Sequence, residues 1–555
     1  MALAQRVDPA PNAPRLLAER ALDRMREPWL LGIAALTLLA LLLRLYGIGH
    51  QSFWYDESLT VDETHLRFLR MMSMVRHHEV TPPLYFVSAW TWAKVFGHGE
   101  AGLRALSALA GALMVPATAA CAATLAGRRA AVIAGALIAT SPLLIWYSQE
   151  ARAYALFTLL ATLSWLFFVR VLSAGNKVDV ALWAAASALT IATHYFGIFL
   201  VGPEIAWLLL RARRRGVVVI GAAVIGGVGL VLAPVATSRR TAGTGWIHGI
   251  HLNLRLRQIP EQLASGFSAP HIATLATYAL VALSILLLVV GGDARSRRAG
   301  ALAAATAALT LGLPLVLVHF GLDYVVTRNV IFVAVPVTVL VALGLAAGRF
   351  GWLGAAGAVA LCAVGATVAL RVQSSAALQR PAWRAVAGAL GPGDRSRAIV
   401  VAGSYRGRPL KLYLPRTRFF GSRHRIEEID VVGMRSPHVP GCWWGAQCNL
   451  PTASPSRVPP APGFRLLSQR RVGSFTIVRF RSSRAVVLAH HSHVLESRRR
   501  FRGHRHVSRL VFFQPRRALD ERPPRWSSAI RCPTWDWASW SPDRLRVRRC
   551  PVRPG

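Results

Sequence analysis

Residues 28–48, PWLLGIAALTLLALLLRLYGI, form an apolar run long enough to cross a bilayer, which takes about 20 such residues. Just beyond it, Phe53-Trp54-Tyr55-Asp56-Glu57-Ser58 sets two adjacent carboxylates at the membrane–water boundary. Carboxylates are costly to keep there unless they do something, so the chemistry is sought there first. Further apolar runs lie near 101–124, 130–147, 153–173, 180–195, 197–210, 217–236, 272–291, 299–320, 327–347 and 352–371. The fold class that follows is an all-α polytopic membrane protein with about 11 transmembrane helices.

Composition agrees with this. Apolar residues make up 53% of the 555-residue chain and charged residues 16%, against roughly 25% in a soluble domain. In a soluble chain a net charge of +40 would point to nucleic acid. Here nearly all the cations are Arg, with Lys only at 94, 177 and 411, and they gather in short loops and in the C-terminal tail. Loop arginines follow the positive-inside rule and meet anionic head groups, so membrane lipids are the expected partner and nucleic acid is not.

The clusters Arg128-Arg129, Arg170 with Lys177, Arg211 with Arg213-Arg214-Arg215, Arg295 with Arg297-Arg298, and Arg349 occupy every second loop. With residues 1–27 cytoplasmic, all five are cytoplasmic, and 47–100, 147–152, 194–197, 237–271, 321–327 and everything after about 372 are exoplasmic. This regularity requires two short helices within 181–210, broken at Thr193-His194-Tyr195-Phe196-Gly197, instead of one tilted span. The first span reads as an uncleaved signal anchor in the plasma membrane.

The domain reading is a transmembrane catalytic region over 28–371, whose large first exoplasmic loop is 47–100, and a small exoplasmic α/β domain over 372–481. In the latter, Pro381-Ala382-Trp383-Arg384 opens an amphipathic helix, and Ala398–Ala402, Leu410–Leu414 and Phe475–Phe480 read as strands. Cys442 and Cys448 bracket Trp443-Trp444, as a short disulfide loop or as two unpaired thiols. Residues 482–555 carry 17 Arg against 5 acidic residues with no periodicity, the composition of a tail without a fold.

In the first loop, Leu66, Leu69, Met72 and Val75 recur at helical spacing, as in a helix lying in the interface plane. Asp56 and Glu57 project in different directions on any regular backbone. One can accept a proton from an attacking hydroxyl while the other orients it or helps hold a divalent cation. Should such a cation take part, Mg or Mn, these two carboxylates are the candidate ligands. Alone, an Asp-Glu pair is more often a cap or a solvated face. Arg152 and Arg328 both sit at exoplasmic membrane edges, where a guanidinium can chelate a phosphate or simply snorkel to head groups. Trp54 and Tyr55 could stack on a sugar or serve as interfacial anchors.

The succession Trp54-Tyr55-Asp56-Glu57, Pro82-Pro83-Leu84-Tyr85, Phe96-Gly97 with Glu100 and Arg104, and Ser148-Gln149-Glu150-Ala151-Arg152-Ala153-Tyr154 resembles the polyprenyl-phosphate-sugar-dependent glycosyltransferases of the GT-C fold. Among these it is similar to bacterial dolichyl-phosphate-mannose-protein mannosyltransferase-like proteins and to lipid A aminoarabinose transferases, over residues 28–371. The resemblance implies transfer of a sugar, mannose first, from a polyprenyl-phosphate donor to a hydroxyl on a protein, lipid or cell-wall glycan, on the exoplasmic face. It implies Asp56 and Glu57 as the catalytic pair, with Asp56 the base, and Arg152 and Arg328 as donor-phosphate ligands. Trp54, Tyr55, Tyr85, Glu150 and Tyr154 are the implied substrate contacts. Relatives usually have His before the two prolines; here it is Thr81, with His77 and His78 close by. The rival reading is a transporter or flippase without covalent chemistry, which places its ionisable groups near the bilayer midplane.

Overall fold

The computed structural model describes residues 27–173, 175–238, 247, 250–401, 407–414, 416–420, 423–434, 455–489 and 510–515. Each of the eleven apolar runs is helical. The helices are α1 (Pro28–Leu45), α5 (Glu100–Ala126), α6 (Arg128–Thr140) with α7 (Pro142–Ser148), α8 (Tyr154–Ser173), α9 (Lys177–Thr193), α10 (Ile198–Arg211), α11 (Arg215–Ser238), α13 (His271–Gly291), α14 (Ala294–His319), α15 (Ala334–Leu345) and α16 (Gly351–Ser374). The intervening α2 (Tyr55–Thr64), α3 (Phe68–His78) and α4 (Leu84–Phe96) fill the first loop, and α12 (Leu252–Ser265) lies in a later one.

Seven of these helices are long and apolar enough to cross a membrane, or eight if the α6–α7 pair, bent by 57°, counts as one. The remainder are short: α9 has 17 residues and α10 has 14, about 25 and 21 Å at 1.5 Å per residue, less than the roughly 30 Å hydrocarbon core. They form an antiparallel hairpin, since Ser164 Oγ meets both Ser187 of α9 (2.8 Å) and Glu204 of α10 (2.6 Å). The chain therefore turns back at 194–197, as the loop charges require. At the basic end Arg295 donates to Leu125 O (2.9 Å), Arg214 to Gly175 O (3.1 Å), and Arg129 to Gly351 O.

The α6–α7 break follows from Pro142, which lacks an N–H and starts a new helix at its first position. The break frees carbonyls inside the bundle. Arg44 of α1, fully buried, donates to Ile138 O and Ala139 O (both 3.1 Å) and to Ser148 Oγ (3.2 Å). Bent in this way, α7 delivers the turn 149–153 to the end of the bundle opposite the basic loops. Gly111 allows this contact, because a Cβ there would lie 2.0 Å from Ser148 Oγ.

In the first loop the helix expected around 66–75 is α3. Its buried row is Met71 and Val75, which pack on Tyr85 and Phe86 of α4, whereas Leu69 is exposed. Beyond α16 come α17 (Trp383–Leu390), β1 (Arg397–Val401), α18 (Leu410–Tyr413), β2 (Arg418–Phe419), β3 (Arg423–Met434), β4 (Phe464–Val472), β5 (Phe475–Ala489) and β6 (Leu510–Gln514). They form one six-stranded sheet of order β2-β6-β1-β3-β5-β4, with β1 and β3 parallel.

Two readings are corrected here. Residues 410–413 are a helical turn, not a strand; Leu410 packs into the core beneath α17. The segment expected to lack a fold from 482 onward supplies the end of β5 and all of β6, which pairs with β1 in the register Ala398↔Phe513. Leu510-Val511-Phe512-Phe513 is an apolar island whose signal the surrounding arginines dilute, and a neighbouring strand is enough to recruit it. Cys442 and Cys448, and the tail apart from 482–489 and 510–515, lie outside the described residues.

Candidate active site

Asp56 and Glu57 are the second and third residues of α2, in its first turn, where carboxylates face the positive end of the helix dipole. One residue of helix rotates a side chain by about 100°, so the two point to different places. Glu57 points inward and is fully buried. Arg104 of α5 donates to both its oxygens, Nε at 2.7 Å and Nη2 at 2.6 Å, and the N–H groups of Ala151 (2.9 Å) and Trp54 (3.3 Å) complete them. The other Arg104 hydrogens go to the carbonyls of Ile48, Gln51 and Ser52 at 2.8–3.0 Å. All five guanidinium donors and all four carboxylate acceptor positions are thereby used. Burial pushes the Glu57 carboxyl up, but the charge and hydrogen bonds of Arg104, with help from Arg380 and Ala151, hold it below the ordinary carboxylate value.

With four N–H donors on its two oxygens, Glu57 is the more fully engaged carboxylate of the pair. Among the described residues no group of three or more His, Cys, Asp or Glu side chains is arranged to hold a metal ion.

Asp56 points the other way, toward Arg328, whose Nη1 lies 3.1 Å from its Oδ2. This pair is open: the side chains are 16% and 17% exposed. Arg328, 272 residues further along the chain, sits in a short 3₁₀ turn between α14 and α15. That loop is anchored by Arg255 of α12, 2% exposed, which pairs with Asp323 and donates to Val325 O (2.7 Å). Asn329 ties back to Tyr324 O (2.7 Å). The guanidinium of Arg328 lies 5.8 Å from the Tyr154 ring centre.

Arg152 reaches the same place from beneath. Its Nη1 lies 3.5 Å from the Asp56 carbonyl and 3.4 Å from Thr60 Oγ1, while Nη2 pairs with Glu79 Oε2 at 3.0 Å. Burial opposes its charge, but Glu79, Asp56, Tyr154 and Glu63 keep it protonated. Glu150 lies nearby, 2% exposed, paired with Arg380 at 2.8 Å through one oxygen, while Oε1 is buried without a partner among the described residues. Burial raises its carboxyl to about 7 against the pull of Arg380, with Glu57 and Asp56 adding to the rise.

The structure thus brings together Asp56, Glu57, Glu150, Arg152, Tyr154 and Arg328. Tyr55 is half-buried beside them, and Trp54 caps α2 with its indole N–H buried. Tyr85 is wholly buried in the apolar cluster between α3 and α4, edge-on to Phe86, and its hydroxyl feels the charges of Arg152, Glu57 and Glu150. His77 is exposed and Thr81 is buried. In this loop it is Glu79 that reaches the site.

Sequence reading missed Glu79, Arg380 and Arg255. Arg380 follows the last membrane helix and contacts Gln51 Oε1 and Gln149 O (both 3.3 Å) as well as Glu150, and lies 4.2 Å over Trp146. Nothing in local spacing marks it, since its partners are more than two hundred residues away. The sheet domain clamps the first loop at further points. Tyr413 accepts from Phe53 N–H (2.7 Å) and donates to Glu100 (2.7 Å), Arg384 pairs with Glu100, and Arg408 pairs with Asp62 at 2.5 Å. A separate apolar cavity of about 180 Å³ lies between α10 and α14, lined by Tyr195, Phe196, Phe199, Pro314, Leu317 and Tyr324. It adjoins the loop that carries Arg328.

The family model of dolichyl-phosphate-mannose-protein mannosyltransferase matches residues 80–238, less than half of the chain. Among solved structures the chain matches ArnT from Cupriavidus metallidurans in the apo state with a TM-score of 0.51 and 12% identity, over 80% of this chain and 97% of that one. The same protein bound to undecaprenyl phosphate matches with a TM-score of 0.45, 13% identity and the same coverage. The oligosaccharyltransferase of Archaeoglobus fulgidus, in complex with Zn and sulfate, matches with a TM-score of 0.41 and 13% identity, over 64% of this chain and 54% of that one. No curated protein sequence matches the chain. The resemblance carried by the motifs therefore holds at the level of the family model, and the fold is that of ArnT.

Proposed function

We propose that this chain is a membrane glycosyltransferase that takes a sugar from a polyprenyl phosphate and passes it to a hydroxyl acceptor, with Asp56 as base and Arg328 and Arg152 as phosphate ligands. The observation that carries the reading is the open Asp56–Arg328 pair above Arg152, built from segments 96 and 272 residues away from Asp56. A carboxylate that can receive a proton stands beside two cations that can stabilise a departing phosphate, the combination that a single displacement at an anomeric carbon requires. The acceptor hydroxyl attacks, Asp56 takes its proton, the C–O bond to phosphate breaks, and Arg328 and Arg152 meet the charge left on the phosphate. The anomeric configuration inverts.

The remaining residues position these groups. Glu57 with Arg104 fixes the start of α2 and the turn at Ala151, Arg255 fixes the Arg328 loop, and Arg380 holds Glu150. The unpartnered Glu150 Oε1 is suited to a sugar hydroxyl, and Tyr154 with Tyr55 to a sugar face. The apolar cavity beside Tyr324 suits isoprenoid. The description of the matching family favours mannose as the sugar, and the loop charges favour an exoplasmic site in the plasma membrane. The transporter reading is weaker. Among the described residues the acid deep in the helical bundle that it could use is Glu204, whose Oε2 accepts from Ser164 and Trp183 (2.6 and 3.0 Å), whereas the acids and guanidinium groups of the site gather at one end of the bundle.

The test is transfer of radiolabel from polyprenyl-phosphate mannose, and from a panel of other polyprenyl-phosphate sugars, by membranes holding the wild-type chain or Asp56→Asn. Labelled product with the wild type alone supports the reading. Turnover by a correctly inserted Asp56→Asn protein, or none with any donor, overturns it.

A further inference from the structure

If Arg152 meets the donor phosphate, as proposed above, something must hold a buried guanidinium in place without giving its surroundings a net negative charge. Three ionisable groups meet beneath Asp56: Arg152, Glu79 and Glu63, which are 6%, 3% and 4% exposed. Glu79 Oε2 pairs with Arg152 at 3.0 Å. Glu63 lies three residues after Thr60 on α2, hence on the same face, and its carboxyl hydrogen-bonds that of Glu79. Its Oε2 is buried without an N–H or O–H partner among the described residues.

The groups facing Glu63 are Asp62 on its own helix, Glu79 at the end of α3, and Arg152 in the turn after α7. Other cations in the neighbourhood are committed: Arg408 to Asp62, with Lys411 beside them, Arg104 to Glu57, and Arg328 to Asp56. Among the described groups acting on Glu63, one guanidinium therefore faces two carboxyl groups in contact, and two such groups do not both ionise.

We propose that Glu63 is a positioning residue: as a neutral acid it donates its proton to Glu79, and the pair, carrying one negative charge, holds Arg152 against the Asp56 carbonyl where it meets the donor phosphate. Burial first, then the charge of Glu79, pushes the Glu63 carboxyl well above its ordinary value, which agrees with this state. With both acids ionised the trio would carry a net negative charge and repel phosphate. With the proton shared it is neutral. The sign of the pH effect follows: phosphate affinity is kept at neutral pH and lost as pH rises through the ionisation of Glu63.

The full chain, purified in detergent, is titrated with radiolabelled undecaprenyl phosphate. Glu63→Gln, a fixed neutral donor, is expected to bind within about threefold of wild type and to lose the alkaline decline, while Glu63→Ala weakens binding by about tenfold or more. Binding by Glu63→Gln as weak as that of Glu63→Ala, or wild-type affinity in Glu63→Ala, overturns the proposal. A second readout does not depend on the ligand. The infrared difference between wild type and Glu63→Gln at neutral pH should contain the C=O stretch of a protonated carboxylic acid, and its absence overturns the shared proton. If that band is present while wild type binds no undecaprenyl phosphate, the donor reading of Arg152 fails and the shared proton stands.

Discussion

The Glu57–Arg104 pair and the Asp56–Arg328 pair start one residue apart in the chain, yet the first has every hydrogen-bonding position filled and is buried, while the second meets at 3.1 Å with both side chains partly exposed. The first is a pillar between α2, α5 and the turn at Ala151, and a third group has no place in it. The second joins α2 to a loop that Arg255 anchors, and both of its side chains reach the surface of the site. Chemistry needs the second kind of pair, and the second kind stays in position only because the first kind stands beside it.

Asp56→Asn should separate the two most sharply. Loss of the proposed base is expected to lower transfer by about 10²–10⁴-fold, with thermal stability in detergent unchanged. A mutant that melts early would show that Asp56 also supports the fold. Glu57→Ala should do the reverse: it strands the Arg104 charge in a closed site and costs about 3–5 kcal/mol of stability, read by chemical denaturation. Replacing both partners by apolar residues of similar size should recover much of that loss. Arg328→Gln is expected to slow transfer by about 10²–10³-fold while the protein remains folded, because only the cation proposed to meet the phosphate is gone.

The smallest effect concerns Glu150. Its carboxyl moves from 4.5 to about 7 in the fold, so between these values the folded protein holds a proton that the unfolded chain releases. That contribution to stability is complete below pH 4.5 and is lost as pH rises through about 7. Melting temperatures of wild type and Glu150→Gln measured across this range should therefore diverge in slope, and parallel curves would show that Glu150 does not carry the proton.

The sheet domain offers a second contrast, between what was legible and what was not. Strands β1 and β5 and the helix α17 carry their periodicity in the sequence, but the reading of 410–414 as a strand failed. Leu-Lys-Leu-Tyr-Leu alternates like a strand, but the residues form one helical turn that puts Leu410 in the core and sends the Tyr413 hydroxyl to Phe53 and Glu100. Likewise Leu510–Gln514 has strand residues but no local sign of a partner, and only β1 and β2, distant in sequence, give it two.

What the sequence determined by itself is whatever depends on near neighbours: the apolar runs that become helices, the turn-back at 194–197, and the presence of carboxylates and guanidinium groups at one end of the bundle. Solvent preference and helical periodicity act over about 20 residues and can be read there. Only the tertiary structure decided which carboxylate is closed and which open, that Tyr85 faces the core, and that Glu79, Arg255 and Arg380 support the site. Those outcomes depend on which buried charge finds a partner, and the partners come from segments that meet only when the chain has packed.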